Sequence, residues 1–310
     1  SLSDVRTTAI ICGFVLAVSF LTAKERKRSF RIAGYLPEYR VGGITPECVK
    51  GLTDLIVFSV SPEADGALDT SVWSKRKLEK AKKLAGSANA RLLVAVGGWG
   101  RSGGFPAMTE NSKARERFVR ELDAFCQANG FGGVVYDWEF PRTDKEETSF
   151  HHLLRETRHL FLPRRRTVEI AVNSEKPFPR DWTVKVDAVH VMSYDNGPRH
   201  ATYEQAVADL NNMARLGVPA EMQLLGLPFY GRQITNREKA ITYAEIKERF
   251  KPKREQDEAG GYYFNGPGTL AKKVKLAKAR GLAGVMIWEI GQDAKGTGSL
   301  LKQVALTARE

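Results

Sequence analysis

Two carboxylates stand two positions apart, Asp137 and Glu139, at the end of the run Gly132-Gly133-Val134-Val135-Tyr136-Asp137-Trp138-Glu139. The β-branched residues of that run read as a strand. Successive strand side chains alternate faces, so residues i and i+2 share one face. Asp137 and Glu139 therefore project together, at the point where Phe140-Pro141 stops the strand. Neighbouring carboxylates on a mostly apolar strand push each other's pKa values apart, leaving one neutral enough to donate a proton. That is the general-acid chemistry that breaks a glycosidic bond.

A pair of this kind needs a scaffold that presents strand ends. After residue 30 the chain holds apolar runs at Arg31–Tyr35, Leu55–Val60, Leu92–Gly97, Gly133–Asp137, Val168–Val172, Ala188–Ser193, Gln223–Leu227 and Gly284–Trp288. Near-continuous apolar runs belong to parallel strands covered on both faces by helices. Candidate helices fall between them, at Ser74–Ala85, Ser112–Asn129, Thr148–Leu160, Thr202–Leu216 and Leu270–Ala279. Strand–helix units repeated eight times over about 265 residues predict a single-domain α/β fold, the (β/α)8 TIM barrel. An open doubly wound sheet is the runner-up, but no glycine-rich nucleotide fingerprint follows the first strand. The stretch from Pro228 to Gly284 is longer than one helix requires. It holds a helix-like segment, Ile241–Phe250, and a hairpin-like one, Gly260–Gly266, both read as a short insertion before the last strand.

Four segments carry a family resemblance. Asp137-Trp138-Glu139 resembles the end of the D-G-x-D-x-D-W-E signature of glycoside hydrolase family 18, the chitinase family. Ala95-Val96-Gly97-Gly98-Trp99 resembles its S-x-G-G segment, Met192-Ser193-Tyr194-Asp195 its M-x-Y-D segment, and Gly284-Val285-Met286-Ile287-Trp288-Glu289 its closing strand. They stand in family order across residues 31 to 295, and in a barrel each would end at the C-terminal mouth, where active sites sit.

The resemblance implies a retaining, substrate-assisted glycosidase acting on β-1,4-linked N-acetylglucosamine polymers, endo-acting, with no cofactor and no metal. Glu139 would be the general acid. The substrate's own acetamide oxygen would replace a protein nucleophile, with Asp137 orienting the acetamide and Tyr194 binding its carbonyl. Trp288 would form the floor beneath the sugar and Trp99 a platform on the leaving-group side, because flat aromatic faces pack on pyranose rings. Tyr35, Met192, Asp195, Tyr230 and Arg232 occupy family-like positions and would bind substrate. The partner implied is an N-acetylglucosamine-containing polysaccharide or glycan, met by a monomer. A weakly active or inactive glycan-binding lectin on the same fold is the alternative.

The signature is also departed from. Its first aspartate is Gly132 here, its inner aspartate Val135, and the serine of S-x-G-G is Ala95. Joint loss of an inner carboxylate and its hydroxyl partner reads as one apolar layer, since a buried carboxylate without partners costs several kcal/mol, roughly. Against the family's pattern, Asp137 would then lack a group with which to share a proton and is expected to stay turned toward Glu139. His190 reads as packed core, and His151-His152 as helix surface.

Composition bounds the rest. With 42% hydrophobic and 27% charged residues the chain is an ordinary globular one. Its net charge of +12 sits in runs such as Lys24–Arg28, Arg164–Arg166 and Lys251–Arg254, read as solvated faces; no aromatic-interleaved basic motif points to nucleic acid. No C-x-x-C suggests zinc, and a Cys48–Cys126 bridge is left open for an oxidising compartment. Ala9 to Leu21 is free of charge, short for a membrane span and typical of a signal-peptide core. Residues 1–30 are thus expected to be a signal peptide or membrane anchor plus basic linker, and residues 31–310 the catalytic barrel. That makes the protein secreted, or membrane-anchored and facing the extracytoplasmic side.

Overall fold

Strands β1 (Arg31–Pro37), β2 (Asp54–Pro62), β3 (Arg91–Gly97) and β4 (Gly133–Asp137) run parallel, each bonded to the next. Strands β5 (Thr167–Val172), β6 (Ala188–Val191), β7 (Gln223–Pro228) and β8 (Gly284–Trp288) continue the circle. The pairing of β8 with β1 closes it. The computed structural model describes residues 29–175 and 186–310, so the apolar run from Ala9 and the basic cluster after it lie outside the described residues. Among the described residues no helix is long and apolar enough to cross a membrane.

The strands are buried on both faces, which is why their sequences read as continuous apolar runs rather than alternating ones. Outward side chains pack under helices α1 (Lys75–Ala88), α2 (Phe105–Glu110), α3 (Ser112–Asn129) and α4 (Asp144–Phe161). Helices α5 (Tyr203–Arg215), α6 (Tyr243–Phe250), α7 (Pro267–Ala279) and α8 (Leu300–Arg309) cover the remainder. Local chemistry sets the starts: Ser74, Asn111, Thr143, Thr202 and Ser299 each accept a first-turn backbone N–H.

The insertion differs in one respect from the expected helix over Ile241–Phe250. Thr242 and Glu245 form a reciprocal capping box, so the helix begins at Tyr243. Residues Ala240–Thr242 instead join Tyr230–Gln233, Tyr262–Tyr263 and Glu258–Ala259 in a four-stranded antiparallel sheet. The Gly260 and Gly261 turn supplies its hairpin.

The structure answers one question left open and refines one expectation. Cys48 and Cys126 are both free: Cys126 lies inside the α3 core, and Cys48 sits beside Thr45 at 3.4 Å. The Arg164–Arg166 run is not simply solvated either. Arg166 packs over the Phe161 ring and bonds Asp123 at 2.5 Å, with only 11% of its side chain exposed.

Inside the barrel, Ala95 and Val135 are register partners and both fully buried, as expected of an apolar layer. The layer is not wholly apolar, because the next register partner of Val135 is Glu169. That carboxylate is also fully buried. It accepts from Arg31 at 2.9 and 3.1 Å, His190 Nε2 at 2.8 Å and Thr167 at 3.0 Å. Burial would raise its pKa, but the Arg31 charge and the His190 bond hold it well below the usual carboxylate range. Val135→Asp therefore places a second carboxylate beside a charged one and should destabilise the fold by about 3 kcal/mol. Ala95→Ser should recover part of that loss. Denaturant unfolding of the four variants should give a coupling above about 0.5 kcal/mol, and additive changes would show that the positions act independently.

Candidate active site

Asp137 is the last residue of β4 and points into the barrel, while Glu139 lies two residues on and is half-buried. The β3 end crosses directly over them. Gly97 and Gly98 have φ of +94° and +98°. A Cβ on Gly97 would meet the Asp137 carbonyl oxygen at 2.5 Å, and one on Gly98 the Phe58 ring at 2.2 Å. Only glycine permits that backbone and that approach. The crossing is pinned by Gly98 N–H donating to the Asp137 carbonyl at 2.6 Å. It delivers the Trp99 backbone N–H to the Glu139 carboxyl. Ser102 Oγ accepts from the Glu139 N–H at 3.1 Å, so the acid's own backbone is held as well.

Beneath the carboxylates lies an aromatic floor. Trp288 packs on Phe58 at 4.6 Å and on Tyr35 at 5.7 Å between ring centroids. Tyr194 is buried beside Tyr230 at 6.3 Å, with its hydroxyl toward Met286 Sδ at 3.8 Å. Met192 packs against the same inner cluster. Trp99 stands apart, 81% exposed, at the rim. The antiparallel insertion contributes Tyr230 and Arg232 from outside the barrel. Tyr230 donates to Asp195 Oδ1 at 2.7 Å, and Arg232 grips the same carboxylate with Nε and, at 2.8 Å, Nη2.

These surroundings give the carboxyls different states. Burial, then the Glu139 charge, raises Asp137 well above the usual carboxylate range. Burial also lifts Glu139 to about 7; the Trp99 N–H opposes the rise and the Asp195 charge adds to it. Asp195 goes the other way. Despite burial, hydrogen bonds from Arg232, His200 and Tyr230 hold it well below the usual range. The site thus combines a proton donor active near neutrality with a fixed anion bound to arginine.

All ten residues singled out from sequence stand at or above this strand-end face: Tyr35, Trp99, Asp137, Glu139, Met192, Tyr194, Asp195, Tyr230, Arg232 and Trp288. The sequence reading missed Phe58, one aromatic in an apolar strand, and His200, which lies 3.5 Å from Asp195. It also gave no role to Glu289, which is fully buried and accepts from Arg40 at 3.0 Å. The motif Trp288-Glu289 was the available signal for Glu289; none marked Phe58.

The sequence model described as glycosyl hydrolases family 18 matches residues 31–293, the whole barrel and its insertion. The chain belongs to that family. As a family 18 protein it is a chitinase-like glycoside hydrolase. It is 24% identical to the probable chitinase 2 of Drosophila melanogaster over 84% of this chain and 70% of that protein. A chitinase structure from Bacteroides thetaiotaomicron superposes with a TM-score of 0.81 at 26% identity, over 90% of this chain and 96% of that one. A family 18 chitinase of Cycas revoluta, solved in complex with (GlcNAc)4, shares the fold with a TM-score of 0.78 at 21% identity, over 89% and 99%.

The raised pKa of Glu139 also sets a stability test. A folded-state pKa above the unfolded value contributes stability that is fully present below the unfolded pKa and is lost as pH rises through about 7. Glu139→Gln removes that loss. Its melting temperature should exceed that of the wild type above pH 7 by more than it does near pH 4, measured by calorimetry across the range.

Proposed function

We propose that this barrel hydrolyses β-1,4-linked N-acetylglucosamine polymers with retention of configuration, using the substrate's acetamide as nucleophile. The observation that carries this reading is the unequal carboxyl pair at the mouth: Glu139 keeps a proton to about 7, and Asp137 sits buried beside it. Glu139 gives that proton to the glycosidic oxygen as the bond to the anomeric carbon breaks. The acetamide carbonyl oxygen bonds to the same carbon from the other face. Asp137 faces the cyclised acetamide, whose positive charge favours the ionised form of that carboxyl, and Tyr194 donates to the acetamide oxygen. Water then opens the ring, returning a proton to Glu139.

Asp195 is unsuited to the nucleophile's part, since Arg232, Tyr230 and His200 already engage its carboxylate. Trp288 and the aromatic floor fit the apolar face of a pyranose, and exposed Trp99 offers a second face at the rim. The (GlcNAc)4 carried by the Cycas revoluta relative supports an oligosaccharide of this kind as ligand.

Glu139→Gln should abolish turnover of a chromogenic N-acetylglucosamine oligomer while keeping affinity within roughly tenfold, because it removes the proton but keeps the shape. Near-full turnover in that variant would exclude Glu139 as the acid. Unchanged affinity with no turnover in the wild type either would mark a lectin. Because the acid must be protonated, the wild-type rate should fall as pH rises through about 7. A thiazoline mimic of the cyclised acetamide should inhibit competitively and bind more tightly than the free sugar, as intermediate-like species do. Equal binding of the two would count against acetamide participation.

A further inference from the structure

Charge is spread unevenly around the outside of the barrel. Helix α1 carries Lys75, Arg76, Lys77, Lys80, Lys82 and Lys83 against one acid, Glu79. Helix α7 exposes Lys272 and Lys275, and α8 exposes Lys302 and Arg309; neither helix contains an acid. Helices α3, α4, α5 and α6 instead carry cations and acids in nearly equal number. The positive excess of α1, α7 and α8 thus nearly equals that of the whole chain. These three helices form one continuous flank. Lys278 Nζ donates to the Ala308 carbonyl at 3.0 Å, joining α7 to α8. Lys302 bonds Glu47 at 2.8 Å and Lys80 Nζ donates to the Gly42 carbonyl at 2.9 Å, joining α8 to α1 across the loop after β1.

The fold does not require this face. Like charges three or four residues apart on a helix repel, as Arg76 and Lys80 do on α1 and Lys272 and Lys275 on α7. Glu47, Glu79, Glu255 and Glu310 each meet a lysine of the face, at 2.8, 3.0, 4.0 and 3.3 Å, and the other cations keep their excess. Most of them are lysines, mobile point charges suited to a diffuse anionic surface rather than to one fixed group. Set among them is Leu306, 59% exposed, on the solvent stripe of α8 between Lys302 and Arg309. An apolar side chain flanked by cations fits a bilayer interface, where that side chain leaves water and the cations stay at the headgroups. Base stacking on nucleic acid has no counterpart here. The exposed aromatics among the described residues, Tyr39 and Trp99, lie outside these helices.

We propose that the flank formed by α7, α8 and α1 docks on an anionic lipid bilayer, with Leu306 entering the interface and the lysines around it held at the headgroups. Each cation brought near such a surface strengthens binding about fivefold, so a face of this size needs no specific lipid. The helices lie outside the barrel, whereas Asp137 and Glu139 lie at the strand ends. Docking on this flank therefore leaves the mouth open beside the membrane rather than pressed against it. The proposed reaction needs no membrane, and this face adds to it a place where the barrel is held.

Cosedimentation of the full chain with vesicles tests this without any glycan, so its result stands whichever way the reaction is decided. Vesicles of phosphatidylcholine with about one third phosphatidylserine should bind at least about a hundredfold more tightly than phosphatidylcholine alone. That margin should shrink as salt rises, because screening shortens the reach of surface charge. Lys75→Gln, Arg76→Gln, Lys83→Gln and Lys272→Gln together should weaken binding to the anionic vesicles by at least about thirtyfold. Lys113→Gln, Arg120→Gln, Lys145→Gln and Arg155→Gln, on α3 and α4, change the net charge equally and should leave binding within about threefold. Leu306→Gln should weaken it by at least about threefold with the salt dependence kept. All these side chains are exposed, and circular dichroism on melting checks that each variant keeps the fold. Residues 1–30 are common to every chain, so the differences report this flank alone. Equal binding to the two kinds of vesicle, or undiminished binding by the first fourfold variant, overturns the proposal. A Leu306→Gln chain that binds as the wild type does would mark a hydrated polyanion as the partner and overturn the lipid assignment.

Discussion

Arg31 and Glu169 meet inside the barrel, one from β1 and one from β5, at 2.9 Å. Neither strand neighbours the other, so this ion pair crosses the interior rather than following the sheet. A carboxylate with no exposed surface is unfavourable unless every lone pair is answered. Answering them recruits Thr167 from its own strand and His190 from β6, while Asp54 and Arg91 balance the arginine below. Five of the eight strands are tied by that requirement. The apolar pairing of Ala95 with Val135 fits the same logic, since another acid at that level would compete for the same cation.

The interior is thereby graded. At the lower level each acid has an arginine, and Glu169 stays ionised. At the mouth Asp137 and Glu139 have each other and the Trp99 N–H, and burial lifts both. Identical side-chain chemistry thus yields a fixed anion in one place and a proton donor in the other. The difference is the presence of a cation within hydrogen-bond reach. Tyr35 stands where the two regimes meet, its hydroxyl bonded downward to His190.

The insertion repeats the contrast at the rim. Its short sheet pairs Arg232 with Tyr263 on one side and with Ala240 on the other, and it brings Arg232 to Asp195. A third acid at the mouth is thus held as an anion, and the unequal pair is left as the titrating element.

Much of this was legible in the one-dimensional chain. Strands buried on both faces must be apolar throughout, so β4 and β8 could be read to the residue and the others to within a few. The i, i+2 spacing of Asp137 and Glu139 put them on one face, and the four resembling segments placed the mouth. What the sequence could not contain was who stands opposite whom. Periodicity assigns a side chain to a face and says nothing about its partner across a closed barrel, so Glu169 passed unremarked 138 residues from Arg31. His190 read correctly as core, but its bonds to Tyr35 and Glu169 arise only when β1, β5 and β6 curve around one axis. Likewise Asp137, Glu139 and Asp195 are three similar acids in sequence. Their protonation states were decided by burial and by the reach of Arg232, which are properties of the closed fold rather than of any segment in it.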